Sequence, residues 1–136
     1  NDYSLEMWGY FEKFIDLLEP EKMAALMGRL MPQMMDAMPV GMKPMMKSMK
    51  YVPGGLSLMS AMMPMLFPIL APGILAKVMP DMLVEVDRYV GKIPDDMHDL
   101  LPDMLPKTMD SLMPNYLPLL IPQLTPMMID YIRTEM

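Results

Sequence analysis

Along most of the chain apolar residues recur at steps of three and four, the period of an amphipathic α-helix, and the strict alternation that marks a strand is absent. The first such run places Leu5, Trp8, Phe11, Ile15 and Leu18 at helical spacing, with Glu6, Glu12, Lys13, Asp16 and Glu19 for the solvated side and Asp2 or Ser4 placed to cap the start. It predicts a helix that buries Trp8, Phe11 and Ile15 against the rest of the chain. The second run gathers Met23, Met27, Leu30, Met31, Met34 and Met38 on one face, and Pro32 and Pro39 project opposite, toward water. Continued along the chain, the pattern predicts helices over 3–19, 20–38, 40–50, 56–78 with breaks, 80–91, 94–112 and 114–135. β-branched residues are sparse, and the strongest turn signal is Pro53, Gly54 and Gly55. An all-α fold follows.

Residues 51–76 depart from this pattern, because they carry no charge and no polar face. Lys43, Lys47 and Lys50 precede the run and Lys77 closes it. A helix that is apolar all round has to be enclosed on every side. At roughly 1.5–3 kcal/mol per large apolar side chain, leaving several in water would forfeit much of a domain's stability. The run therefore predicts a chain that does not work as a free monomer.

From Pro20 onward proline punctuates the chain in a recurring module, an apolar pair followed by proline. Its copies occupy 26–36, 58–67, 74–84, 100–110 and 108–117. Apolar residues at offsets of four around the proline make a helical stripe that runs through it. The longer copies beginning at Pro20, Pro68 and Pro94 are unevenly spaced, which excludes a regular solenoid and describes an irregular helical repeat. An interior proline removes one backbone hydrogen bond and bends the helix away from it, at about 3 kcal/mol in a straight helix. The expectation is one domain over 1–136, an open bundle of short helices bent or broken at prolines around a methionine-rich core. Within it lie an N-terminal helix (1–19), methionine-rich helices (20–50), the uncharged segment (51–78) and proline-punctuated helices (79–136).

Composition sharpens the picture: of 136 residues, 24 are methionine and 16 are proline. Methionine fills irregular gaps and suits adaptable binding surfaces. A net charge of −6 argues against a nucleic-acid partner, which wants a basic footprint. With no cysteine there is no disulfide, thiolate metal site or cysteine nucleophile, and the compartment is not fixed by redox chemistry. The sequence does not determine the location; a cytoplasmic chain is the expectation, with association to a membrane as an option. Because residue 1 is asparagine, the chain reads as a piece of a longer polypeptide or a processed one.

Three constellations bear on chemistry. Twelve of the methionines lie between Met31 and Met65, and thioethers two or three residues apart are soft ligands of the kind that take Cu(I). Asp95, His98, Asp99 and Asp103 could share a helix face around a divalent ion, although acids after Pro94 also suit the positive end of a helix dipole. Lys43, Lys47 and Lys50 share a face beside Met42, Met45, Met46 and Met49, an arrangement that can lie on an anionic membrane surface. No nucleophile elbow or phosphate loop is present, and no active site or cofactor can be argued.

The leading expectation is a non-catalytic hydrophobic binding or docking module. Its apolar surface would be formed by Met42, Met45, Met46, Met49, Met59, Met62, Met63, Met65, Leu66 and Phe67, with Lys43, Lys47 and Lys50 as contacts to an anionic surface. A second copy, a partner helix, an apolar ligand or a lipid surface would cover it. Soft-metal binding by the methionine clusters, and service as an accessory domain of a larger enzyme, are the alternatives.

Overall fold

A computed structural model describes residues 2–91 and 95–136, with the side chains of 2–4, 6, 7, 96–98, 100–102, 104–106, 108, 109, 112 and 113 left aside. The described residues form six helices and no strand. These are α1 (Asp2–Leu17), α2 (Pro20–Arg29), α3 (Met31–Asp36), α4 (Met42–Met49), α5 (Gly55–Val90) and α6 (Asp95–Glu135). All six contribute to one buried cluster, in which Met34, Met35, Met63 and Met82 lie beside Leu26, Phe67, Val78 and Ile132.

Prolines act differently in the two halves. Pro20 and Pro32 stand in the first turns of α2 and α3, where the missing N–H would have had no helical partner anyway. The expected helix over 20–38 therefore divides at Leu30, whose N–H closes a tight turn on the Met27 carbonyl at 3.0 Å before α3 begins. In the second half the expected breaks do not occur. α5 runs for 36 residues through Pro64, Pro68, Pro72 and Pro80, merging the segments expected at 56–78 and 80–91. α6 likewise merges 94–112 with 114–135 over 41 residues.

The reason lies in register. Pro64, Pro68, Pro72 and Pro80 each follow immediately on a buried residue, namely Met63, Phe67, Ala71 and Met79, and all four prolines are exposed. Each ring thus rides the rim of the buried stripe and occupies no core volume. α6 repeats the arrangement, with exposed Pro118, Pro122 and Pro126 following buried Leu117, Ile121 and Thr125. An interior proline costs about 3 kcal/mol, and one or two large apolar side chains removed from water offset that. α5 buries eleven such side chains against four interior prolines, so burial wins and the helix stays whole.

α1 packs through a face other than the expected one. Leu17 is buried and Tyr10 and Phe14 are half-buried against the core, whereas Trp8 is 59% exposed and Phe11 and Ile15 are 52% exposed each. The helix carries two apolar arcs side by side, and polar ties decide which one turns inward. Asp16 accepts hydrogen bonds from Lys22 of the next helix and from the Tyr89 hydroxyl of α5. The Tyr116 hydroxyl of α6 donates to the Leu18 carbonyl at 2.6 Å. A further tie joins α2 to α5, where the enclosed Glu85 carboxylate forms an ion pair with Arg29 Nε at 3.2 Å and accepts a hydrogen bond from Arg88 at 2.9 Å.

Two glycines set the ends of α5. Gly91 has φ +84°, a left-handed conformation that stops the helix and that an L side chain rarely adopts. Gly55 opens it, and a Cβ there would stand 2.1 Å from the Met49 carbonyl oxygen. Gly55→Ala is therefore expected to lower the unfolding free energy by about 2 kcal/mol or more. Gly73→Ala, on an open face of the same helix with nothing within 4 Å, is expected to raise it by up to about 1 kcal/mol. Urea denaturation of the two variants checks the pair, and equal effects would remove the steric explanation.

Candidate functional site

α5 and α6 run in opposed directions, since Pro64–Pro72 face residues 110–122 and Ser60 lies with residues 126–133. This sets two uncharged runs against each other, residues 51–76 and 111–129. Core-facing residues of both helices recur at four-residue steps, the ridges that pack helices across one another at an incline. What remains outside is an apolar surface. Leu58, Met62, Met65 and Ile69 line up on α5, and at Met65 and Ile69 71% and 76% of the surface is exposed. Leu119 and Met127 stand out from α6. Between the helices lies a groove of about 490 Å³, walled by the two sets of prolines with Asp110 among its lining residues.

The expected site residues divide in two. Met45, Met62 and Met65 are exposed, and Met42, Met49 and Leu66 are half-buried. Met46, Met59, Met63 and Phe67 are core residues, enclosed by the helices around them, and so are not surface at all. They lie on the core side of α4 and α5, while Met45, Met62 and Met65 stand on exposed arcs. The expectation that residues 56–76 would be enclosed on every side is likewise corrected. Helices cover α5 on its core side, and the arc through Leu58 and Ile69 faces outward.

Each lysine of the basic cluster has a different setting. Lys43 pairs with Asp36, and that hydrogen bond, with the nearby carboxylate charge, holds its ammonium pKa above the usual lysine value. Lys47 is exposed in the last turn of α4. Lys50 donates to the Met136 carbonyl at 2.7 Å and lies over the Tyr51 ring, 5.3 Å from its centroid. Two of the three thus serve as struts within the fold.

Among the described residues no group of three His, Asp or Glu could hold a metal ion. Asp95, Asp99 and Asp103 are exposed on α6, and the His98 side chain lies outside the described residues. Of the methionines proposed as thioether ligands, Met31, Met34, Met35, Met38, Met46, Met59 and Met63 are buried. Comparison with family models, with curated proteins and with solved structures finds no match.

Two surfaces escaped the sequence reading. One is the groove, whose signal was the four-residue proline spacing on both long helices. The other is the stripe on α1, where Leu5, Trp8, Phe11, Ile15 and Leu18 all face outward and the rings of Trp8 and Phe11 lie 5.6 Å apart.

The tie that orients α1 titrates. The hydrogen bond from Lys22, and then that from Tyr89, hold the Asp16 carboxyl below the ordinary aspartate value. The same bond to Asp16, with burial second, raises the Tyr89 phenol. A lowered carboxyl pKa adds stability that is present above the unfolded value and lost as pH falls through the folded one. A raised phenol pKa adds stability that is present below its unfolded value and lost as pH rises through the folded one. Wild type is therefore expected to lose more stability between about pH 5 and pH 3 than Asp16→Asn does. Urea midpoints measured across that range test this, and parallel curves would deny Asp16 its role.

Proposed function

We propose that this chain is a non-catalytic docking module that lays its uncharged α5/α6 face into the apolar layer of a lipid bilayer. The observation that carries the reading is the openness of α5. This helix is long and apolar enough to cross a membrane by length and composition, yet only 33% of its most apolar 18-residue stretch is buried. The core helix of a water-soluble protein passes the same test of length and composition, but it is mostly enclosed. Here the apolar stretch is half of a two-helix face with no charge from 51 to 76 or from 111 to 129.

Dimensions support the same reading. At 1.5 Å per residue the 19 residues of the shorter run extend about 28 Å, close to the roughly 30 Å of a bilayer's hydrocarbon core. Charges return at the margins, at Lys77 and Asp110 on one side and at Lys50, Asp130 and Arg133 on the other. Trp8 and Tyr51 are exposed aromatics of the kind that settle at the boundary between lipid and water. Lys47 can add an ionic contact where the lipid is anionic, but apolar area does most of the work in a chain of net charge −6.

Flotation with phosphatidylcholine vesicles tests the reading. The full chain is expected to rise with the vesicles and Trp8, the single tryptophan, to shift its emission to the blue. Met65→Asp combined with Ile69→Asp alters only exposed positions, so folding is retained while partitioning falls by roughly tenfold or more, each acid costing about 2.5–3.5 kcal/mol in hydrocarbon. A chain that stays in the aqueous fraction would sink the proposal. If it instead forms a stable dimer that the same two substitutions dissociate, the face is right and its occupant is a second copy.

A further inference from the structure

Proline has no N–H, so within a helix it leaves the carbonyl four residues earlier without its donor. Where prolines follow one another at four-residue steps, that carbonyl belongs to the preceding proline. On α5, Pro68 and Pro72 release the carbonyls of Pro64 and Pro68. On α6, Pro114, Pro118, Pro122 and Pro126 release those of Asp110, Pro114, Pro118 and Pro122. Every residue that owns one of these six carbonyls lines the groove between the two helices. Among the described residues, the remaining lining is Ala71, Pro72, Leu117 and Ile121, whose side chains offer no donor. The groove therefore combines apolar walls, lining residues on both sides whose backbone carbonyls lack a helical donor, and one carboxylate, that of Asp110, which is exposed.

We propose that this groove is a binding site for a small apolar amine, whose ammonium donates to the released carbonyls near Asp110 while its ring or chain lies against the proline walls. Acceptors with no side-chain donor among the described lining residues select for charge and donor together. Hydrogen bonds to charged groups are worth about twice those between neutral ones. An acid of the same shape meets carbonyl oxygens and a carboxylate, and is refused. A neutral hydrocarbon fills the walls but leaves the carbonyls unmatched. A volume near 490 Å³ is within the usual range for a small-molecule site and suits a two-ring body. The inference concerns the cleft between the helices and does not depend on lipid docking of the surface outside it.

The test compares three probes of one shape, 1-naphthylmethylamine, 1-methylnaphthalene and 1-naphthoate, titrated into the full chain and followed by carbonyl carbon shifts of labelled proline. The amine is expected to bind about tenfold or more tightly than either of the others, moving the signals of Pro64 and Pro114. Pro68→Ala with Pro118→Ala returns an amide to those two carbonyls. It should cost the amine roughly tenfold in affinity while raising the melting temperature, because a helix-breaking residue is replaced by the best helix former. Asp110→Asn should weaken the amine and leave 1-methylnaphthalene unchanged. Failure of the amine to bind, equal binding of all three probes, or an undiminished preference in the double alanine variant would each overturn the site. A chain that binds the amine but does not float with vesicles would keep this inference and lose the docking proposal, and the converse result would do the reverse.

Discussion

The structure depends on one constraint, that Pro64, Pro68, Pro72 and Pro80 of α5 and Pro118, Pro122 and Pro126 of α6 each stand one residue after a buried residue and at the edge of the buried stripe. That position lets α5 and α6 pass through prolines that would otherwise end them. Moved by one residue in either direction along the helix, a ring would leave the rim for the interior or for the middle of the exposed arc. The same spacing gives each helix a core stripe with a four-residue repeat. Such a stripe drifts about 40° per step around the axis, so the partner helices must change as α5 advances. Gly55 at its start adjoins Met49 of α4, Pro64–Pro72 face α6, and Glu85 and Tyr89 near its end reach α2 and α1.

Several of the polar contacts between described residues hold junctions between elements. Asp16 gathers three elements, Glu85 joins α2 to α5, Lys50 reaches the last residue and Tyr116 holds the end of α1. Such contacts add little net stability where they are solvated. Their value is in choosing among apolar faces that the hydrophobic effect alone does not distinguish. α1 shows this, since its Trp8 arc is at least as apolar as the Tyr10, Phe14 and Leu17 arc that is buried.

Much of the fold was legible in the residues. The all-α class followed from the three- and four-residue period, and the outward position of Pro32 and Pro39 followed from the angle between proline and methionine faces. Helix continuity was misread because the cost of each proline was weighed residue by residue, whereas the burial opposing it is shared along the helix. The exposed apolar surface was half legible. The 51–76 run marks the right helix, but with no polar face to orient it nothing distinguishes Met63 from Met65, and only contact with α6 shows that one is enclosed and the other open. Trp8 was misplaced for a similar reason, because its orientation is fixed by Lys22 and Tyr89, partners six and 73 residues from Asp16.

The two environments of methionine expose the chain to a kind of chemistry that leucine would avoid. Thioethers at Met45, Met62 and Met65 meet the solvent, whereas those at Met34, Met46 and Met63 are enclosed. Oxidation to the sulfoxide replaces a soft apolar group by a strongly polar one, and cells reduce it back enzymatically. An oxidant arriving from outside would reach the outward-facing sulfurs first. Polarity would rise on the α5 face while the enclosed sulfurs, and with them the packing of the core, were still reduced.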